Sequence, residues 1–373
     1  MRRCVIVVVL LCLTGCVEQY RIEKIGMSDA VALDPVYDEN GKPSETERSM
    51  AVSIPIAGKV ETQQANILQT IADSPKEGRS KLSRKIDKVL VAGQLRSIVF
   101  GKELAKQGIF KELDSYRRDY SVGERLKIIV VNGSAVDMLT HNYTQIRPVG
   151  NHIDQLLTQE SKIHEVPEVT LYSFVRDYYD DGTDPIAPLL IKKNDNVEID
   201  GIALFKKDRY IGKISQERTV LFAILHESFK GGEFDIKFMD HSSGKQESAM
   251  ISSIVSKRVV KVNKQERAGN LPEVVIHIRL SGIILEYTGE STFKKPEEQK
   301  KLDQDLSEAV REQLQAIVSQ VQRSGGDNLG VGTYVRNSMS YEEWNKLNWK
   351  SIYPSVDIRV EVEATIRDYG MIR

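Results

Sequence analysis

The pattern that most restricts the fold of this chain lies near its end, between residues 356 and 367. Apolar and polar residues alternate there without a break, and the apolar ones are Val356, Ile358, Val360, Val362, Ala364 and Ile366. A period of two places these side chains on one face of a β-strand, whereas a helix would distribute them around its axis. We therefore predict a long C-terminal strand with one buried and one wet face, paired antiparallel with its neighbours.

A helical pattern precedes this strand. The segment from Lys295 to Arg323 begins with Pro296 and is followed by Gly325-Gly326, residues that favour a helix start and a helix end. One apolar stripe runs along it: Leu302, Leu306, Ala309, Val310, Leu314, Ile317 and Val321. We predict a long amphipathic helix that lies across a sheet. Further strands are predicted at Glu233–Met239, Ala249–Val262 and Val274–Tyr287.

The first half of the chain mixes both kinds of pattern. We predict a helical region from Gln63 to Lys88, interrupted at Ser74-Pro75, and a strand within Val89–Phe100. The apolar run Leu126–Val131 predicts a strand, and Ser134 after it predicts the cap of a short helix. Strands outnumber helices without a regular βαβ rhythm, so we predict a multi-domain α+β fold with mixed and antiparallel sheets and packed helices.

Two polar breaks, Tyr178–Pro188 and Lys192–Asn196, indicate a domain boundary. We predict an N-terminal α/β domain of residues 23–195 and a C-terminal antiparallel α+β region of residues 196–373. A predicted hairpin, Val197–Phe205 with Arg209–Ile214, opens the second region. A split near residue 231 would divide that region into two subdomains.

The N-terminus has the layout of an export signal. Basic residues at positions 2 and 3 precede the apolar run Cys4–Leu13, which is shorter than the roughly 20 residues that a membrane-spanning helix needs. The segment Leu13–Cys16 resembles the lipobox of bacterial lipoproteins. We predict that residues 1–15 are removed by cleavage between Gly15 and Cys16. Cys16 would then carry an S-diacylglycerol group and an N-acyl chain such as palmitate, and residues 16–22 would form a tether. The alternative is an ordinary signal with a chance cysteine.

Composition narrows the function further. No cysteine follows Cys16, which rules out disulfides and cysteine-ligated metals in the mature chain. Lys and Arg total 52 against 53 Asp and Glu, a balance that gives no indication of nucleic-acid binding. The chain is 40% apolar and 28% charged, which is ordinary for globular domains.

Candidate catalytic and ligand sites are weak. His226-Glu227 lacks the second histidine of a metalloprotease helix, and a calcium loop begun at Asp180 would end on Ile191 instead of glutamate. The glycine-rich segment 325–332 follows a helix, so a helix cap and turn is favoured over a phosphate cradle. The residues Asp180, Asp181 and Asp184 are predicted to form a solvated turn. We therefore predict no catalytic residue, no metal and no cofactor, and a protein that is not an enzyme.

An aromatic cluster precedes the last strand. It consists of Tyr341, Trp344, Leu347, Trp349 and Tyr353. Large aromatic side chains bury much apolar surface, so we favour a role in the core, with contact to a partner protein as the alternative.

Several segments resemble the C subunits of nutrient germinant receptors from spore-forming bacteria. The residues that carry the resemblance are Cys16, Arg21–Gly26, Asp200–Gly212, Gly326–Gly332 and Trp349 with the terminal strand. The family often has Trp-Asp after the lipidated cysteine, where this chain has Val17-Glu18, and often Phe where Val331 stands. The similarity covers nearly the whole chain.

This resemblance implies a lipoprotein on the outer face of the spore inner membrane, assembled with an integral membrane A subunit and a transporter-like B subunit. The receptor senses nutrients and triggers germination. The family has a three-domain mixed α/β structure without known catalysis, and Cys16 is the one functional residue that the resemblance transfers. The alternative is a solute-binding lipoprotein of an importer, whose two parallel α/β lobes fit the C-terminal pattern poorly.

Overall fold

Two large β-sheets carry the fold in the computed structural model, which describes residues 24–369 except 57–64, 145–147, 164–165, 229, 241–243, 264–270, 290 and 292. The described residues contain fourteen strands and eleven α-helices. The predicted signal peptide, the tether up to residue 22, Gly15 and Cys16 lie outside the described residues.

An eight-stranded mixed sheet forms the first part of the molecule. In chain order the first ten strands are β1 (Ile25–Met27), β2 (Ala30–Tyr37), β3 (Pro43–Pro55), β4 (Ala65–Ala72), β5 (Val89–Val91), β6 (Ser97–Gly101), β7 (Lys127–Val131), β8 (Ile186–Lys193), β9 (Asn196–Lys206) and β10 (Arg209–Ser215). Eight of them lie in the order β10-β9-β8-β7-β6-β2-β3-β4, while β1 and β5 pair with each other in parallel. Strands β2, β6, β7 and β8 are mutually parallel, and antiparallel strands extend the sheet on both sides.

Helices cover both faces of this sheet. They are α1 (Pro75–Ser83), α2 (Lys102–Gln107), α3 (Phe110–Arg117), α4 (Ala135–Thr140), α5 (Val149–Lys162), α6 (Leu171–Tyr179) and, after β10, α7 (Thr219–His226). All of β7 is buried, as expected for a parallel strand between two helical layers. Ile128 and Val130 belong to the core cluster that contains residues of α3 and α6, and Ile129 and Val131 to the cluster that contains residues of α4 and α5.

A four-stranded sheet forms the second part. Its strands are β11 (Glu233–Met239), β12 (Gln246–Asn263), β13 (Glu273–Tyr287) and β14 (Asp357–Asp368), in that order across the sheet. Four helices connect β13 to β14: α8 (Pro296–Ser324), α9 (Val331–Asn337), α10 (Tyr341–Leu347) and α11 (Trp349–Ile352). One continuous core cluster includes Phe205 of β9, Leu314 of α8 and Ile358 of β14, so the two parts share a core.

Polar side chains of α8 bind backbone groups of one edge strand in each sheet. The Gln315 amide donates to the Ile358 carbonyl at 2.8 Å and accepts from the Val360 amide at 2.9 Å, and the Ala364 amide donates to Ser307 Oγ at 2.9 Å. On the opposite side, Gln320 Nε2 donates to the carbonyl of Lys213, in edge strand β10, at 2.8 Å. Edge strands present unpaired backbone groups, and α8 supplies partners for them.

The predicted fold class is confirmed, with one correction to the terminal strand. The long amphipathic helix is α8, and the alternating segment is β14. However, β14 runs parallel to β13, not antiparallel as predicted. Parallel neighbours require a long crossover connection, and the helices α8 to α11 between Tyr287 and Asp357 form one.

The predicted helical region 63–88 is half wrong. Its second part is α1, whose N-cap Ser74 accepts from the Glu77 amide at 3.2 Å. Its first part is β4, an edge strand in which Ile67 and Leu68 are both half-buried and Ile71 is exposed. Because this edge strand has no clear inner and outer face, its apolar residues lose the period of two.

The eight-stranded sheet crosses the predicted boundary between residues 195 and 196. This boundary falls in the turn that joins β8 to β9, which pair antiparallel. The hairpin β9–β10, predicted at the start of the C-terminal region, therefore extends the sheet of the N-terminal region.

Candidate functional site

The glycine-rich segment between α8 and α9 lies at a buried polar junction. We use the name Asp327 junction for residues 180–185, 205–207, 327–332 and 349–350. Gly325 ends α8 in the left-handed conformation, with φ of 84°, so the predicted helix cap is present. Asp327 and Asn328 follow it and are 3% and 0% exposed. Buried polar side chains need hydrogen-bond partners, and these two find theirs in distant segments.

The Asp327 carboxylate binds three N–H groups of its own chain. The amides of Val331 and Gly332 donate to it at 3.0 and 2.7 Å, and the Trp349 indole Nε1 donates at 3.0 Å. Burial raises the pKa of Asp327 to about 6, although these three donors lower it. Since this carboxylate already occupies the amides at the start of α9, the segment does not present them to a phosphate.

This buried carboxyl makes stability depend on pH. The native chain keeps the Asp327 proton up to about pH 6, while the unfolded chain releases it near the ordinary pKa of 3.8. The stability from this group is therefore complete below pH 3.8 and is lost as pH rises through 6, by about 3 kcal/mol in all. We expect urea unfolding to show this decline in the wild type and not in Asp327→Asn. A constant difference between the two proteins from about pH 4 to about pH 7 would contradict this expectation.

Asp184 joins the N-terminal part to the same junction. Its carboxylate accepts from the Asp327 amide at 3.0 Å, from the Lys207 amide at 2.8 Å and from Lys350 Nζ at 3.4 Å. Its own amide donates to the Asp327 carbonyl at 2.9 Å. Asp184 is 4% exposed, so the predicted solvated turn is wrong for this residue. Asp180 and Asp181 lie nearer the surface and pair with Arg336.

Asn328 ties the junction to the eight-stranded sheet. Its Nδ2 donates to the carbonyls of Pro185 and Phe205, both at 2.7 Å, and Phe205 lies in β9. The backbone carbonyl oxygen of Asn328 lies 3.1 Å from Nδ1 of His226. Burial lowers the pKa of the His226 ring. This contact links the end of α7 to the junction.

The predicted aromatic cluster packs against the junction. Trp344, Trp349 and Tyr353 are buried, with ring centroids 5.9 Å apart for the two tryptophans and 5.6 Å for Trp349 and Tyr353. Trp344 Nε1 donates to Asp181 at 2.6 Å. Tyr341 differs from the prediction because it is 79% exposed.

Two glycines allow the segments to approach this closely. A Cβ added at Gly332 would lie 2.2 Å from Trp349 Nε1, and one added at Gly182 would lie 2.7 Å from the backbone of Gly332 and Thr333. Any side chain at position 332 would displace the indole from Asp327. Gly182 and Gly332 lie far apart in the sequence, so no local pattern indicates this close packing or the partners of Asp184 and Asn328.

The described residues contain no group of three or more His, Cys, Asp or Glu placed to hold a metal ion. Within the same described ranges, no helix combines the length and apolar content needed to span a membrane. Gly15 and Cys16, the residues predicted for cleavage and lipid attachment, lie outside these ranges.

Comparison with known proteins identifies the family. A model of the spore germination protein N-terminal domain matches residues 18–192, and a model of the spore germination B3/GerAC-like C-terminal domain matches residues 200–370. The chain belongs to the GerAC family of spore germination proteins. The predicted membership among germinant receptor C subunits is thereby confirmed.

Relatives of this GerAC family member match it from end to end. It is 24% identical to spore germination protein GerQC of Bacillus cereus over 359 residues, which cover 96% of each chain. It is 22% identical to putative spore germination protein YfkR of Bacillus subtilis (strain 168), over 99% of this chain and 97% of the relative. The crystal structure of the GerBC protein has the same fold, with a TM-score of 0.54 at 14% identity, covering 94% of this chain and 99% of that chain. The importer alternative finds no support in these similarities.

Three of the segments that carry the family resemblance meet in the Asp327 junction. Asp200–Gly212 contributes Phe205 and Lys207, Gly326–Gly332 contributes Asp327 and Asn328, and Trp349 closes the site. They come from distant parts of the sequence and contact one another directly. In this chain, these segments join its two parts.

Proposed function

We propose that this germinant receptor subunit is a lipid-anchored, non-catalytic body that stands on the outer face of the spore inner membrane. There it would assemble with the integral membrane A and B subunits of the same receptor and take part in the response to nutrients. The observation that carries the proposal is the Asp327 junction, because its polar groups bind other groups of the chain.

The junction supports a structural role over catalysis. A catalytic site needs an acid, base or nucleophile that can reach a substrate. Asp327, Asp184 and Asn328 are instead buried and hydrogen-bonded to backbone and indole groups. Such a network holds the C-terminal part against the eight-stranded sheet, and a rigid body of this kind is suited to transmit contact between partner subunits.

The predicted lipid at Cys16 would hold the folded part of the subunit at the membrane. Two or more acyl chains anchor a protein stably, while one holds it only reversibly. Anchoring turns the encounter with membrane subunits into an effectively intramolecular step, which raises their effective concentration. The lipid would therefore position the subunit within the receptor.

Substitution of the predicted lipid attachment site tests this proposal. In Cys16→Ala we expect the protein to leave the membrane fraction and nutrient germination to fall sharply, because no acyl chain holds the body near its partners. The measurements are fractionation of spore membranes and germination on single nutrients. Cys12→Ala is the matched control, since that cysteine would leave with the signal and should change neither result. Full germination with Cys16→Ala protein in the soluble fraction would refute the proposal.

A further inference from the structure

Helix α1 and the loop after it form a strongly basic surface. Residues 75–89 contain six basic and two acidic side chains, whereas the whole chain has a net charge of −1. We call the six basic residues the basic patch: Lys76, Arg79, Lys81, Arg84, Lys85 and Lys88. All of them are exposed except Arg79, which is half-buried. Positive charge is therefore concentrated on one short segment and exposed to solvent.

The outer face of α1 is the centre of this patch. Pro75, Gly78 and Leu82 face the core, while Lys76 and Arg84 lie eight positions apart on the opposite side of the helix. Arg79 pairs with Asp119 and Lys81 with Glu77. Lys81 and Lys85 also donate to carbonyls of edge strand β4. Lys76, Arg84 and Lys88 make no ion pair with any residue that the structure describes, so their charges remain available to a partner.

The patch lies where the chain enters the fold from its N-terminus. Strand β1 pairs with β5, with Ile25 opposite Val89, and a Cβ added at Gly26 would lie 3.6 Å from Cβ of Lys88. Cys16 is eight residues before Lys24, a distance that an extended chain spans in at most about 28 Å. A lipid on Cys16 would therefore hold the membrane surface within reach of the patch.

We propose that the basic patch docks on the anionic headgroups of the membrane that holds the anchor, an inference that rests on the proposed lipidation of Cys16. Basic residues beside an anionic bilayer attract it, and each strengthens binding about fivefold. Val89 and Ile71, 45% and 48% exposed, add apolar side chains next to the patch. Two attachments fix the orientation of the body on the membrane, which one flexible tether does not.

Vesicle binding by the non-lipidated chain tests the patch apart from the anchor. The protein used in this test begins at residue 16, carries Cys16→Ala and contains every residue that the structure describes. We expect it to sediment with vesicles of phosphatidylglycerol, to release at high salt, and to bind phosphatidylcholine vesicles weakly. Equal binding to the two kinds of vesicle would overturn the proposal.

Charge removal locates the binding surface. In Lys76→Gln/Arg84→Gln/Lys88→Gln we expect the partition onto phosphatidylglycerol to fall about a hundredfold. The matched control, Lys237→Gln/Lys257→Gln/Lys261→Gln, removes three exposed lysines from the four-stranded sheet and should lose far less. Equal losses would overturn the proposal. So would a patch variant that binds vesicles normally yet fails in germination, since a protein partner would then cover the patch.

The anchor and the patch have separate readouts. The mass of the mature protein reports lipidation of Cys16, and vesicle binding by the non-lipidated chain reports the patch. Absent lipid together with patch-dependent binding would refute the anchor and leave the docking surface supported. Lipid on Cys16 without a preference for phosphatidylglycerol would refute the docking surface alone.

Discussion

Replacing Trp349 by alanine is expected to lower the free energy of unfolding by about 4 kcal/mol. The indole is 3% exposed, packs between Trp344 and Tyr353, and donates to Asp327 at 3.0 Å. Its removal leaves a cavity and takes one of three N–H partners from a buried carboxylate, and both effects destabilise the native state. Urea unfolding followed by circular dichroism measures the loss.

Two further variants separate these effects. Trp349→Phe keeps an aromatic ring in the site and removes the N–H donor, so we expect a smaller loss, of about 1–2 kcal/mol. Tyr341→Ala removes an aromatic ring that is 79% exposed in the same region, and we expect a change within about 0.5 kcal/mol. If Trp349→Ala cost no more than Tyr341→Ala, the junction would not be a major source of stability.

Replacing Arg48 by methionine is expected to cost about 3–5 kcal/mol. Arg48 Nε donates to Glu112 at 2.7 Å, and the two side chains are only 8% and 3% exposed. The pair joins β3 to α3 within the N-terminal part. Methionine preserves much of the volume but leaves the carboxylate of Glu112 buried without its cation. The measurement is urea unfolding at neutral pH.

A double variant and an exposed control pair identify the cause of this loss of stability. Arg48→Met/Glu112→Leu removes both charges, so we expect it to be more stable than Arg48→Met alone. Arg279→Met breaks an exposed pair with Glu363, where both side chains are more than 70% exposed, and should cost at most about 1 kcal/mol. If Arg48→Met and Arg279→Met lost equal stability, burial of the Arg48–Glu112 pair would have no energetic consequence.

Periodic segments of this fold could be predicted from the sequence, and their pairing could not. Helix α8 has a long apolar stripe with a proline and a glycine at its ends, and β14 alternates strictly, so local geometry determines both. The direction of β14 depends on where four helices return the chain, which no local pattern records. Strand β4 was predicted as a helix because an edge strand needs no regular buried face.

The candidate site was visible only as separate fragments. The amide of Asp327 donates to a carboxylate 143 residues away in sequence, and Asn328 Nδ2 donates to a carbonyl 123 residues away. Asp184 lies among acidic and turn-forming residues in the sequence, a pattern that predicts a solvent-exposed loop. Glycines and a buried tryptophan predicted helix caps and core packing, but the network between them depends on the tertiary structure.

The helix α8 has a consequence for the behaviour of many copies of this protein together. Strand β14 ends the four-stranded sheet, and an open strand of that length invites a neighbouring molecule to add its own strand. Molecules confined to a membrane surface, as proposed here, meet one another far more often than molecules in free solution. The side chains of Gln315 and Ser307 occupy backbone groups of Ile358, Val360 and Ala364, so these groups are not open to a strand of a neighbouring molecule.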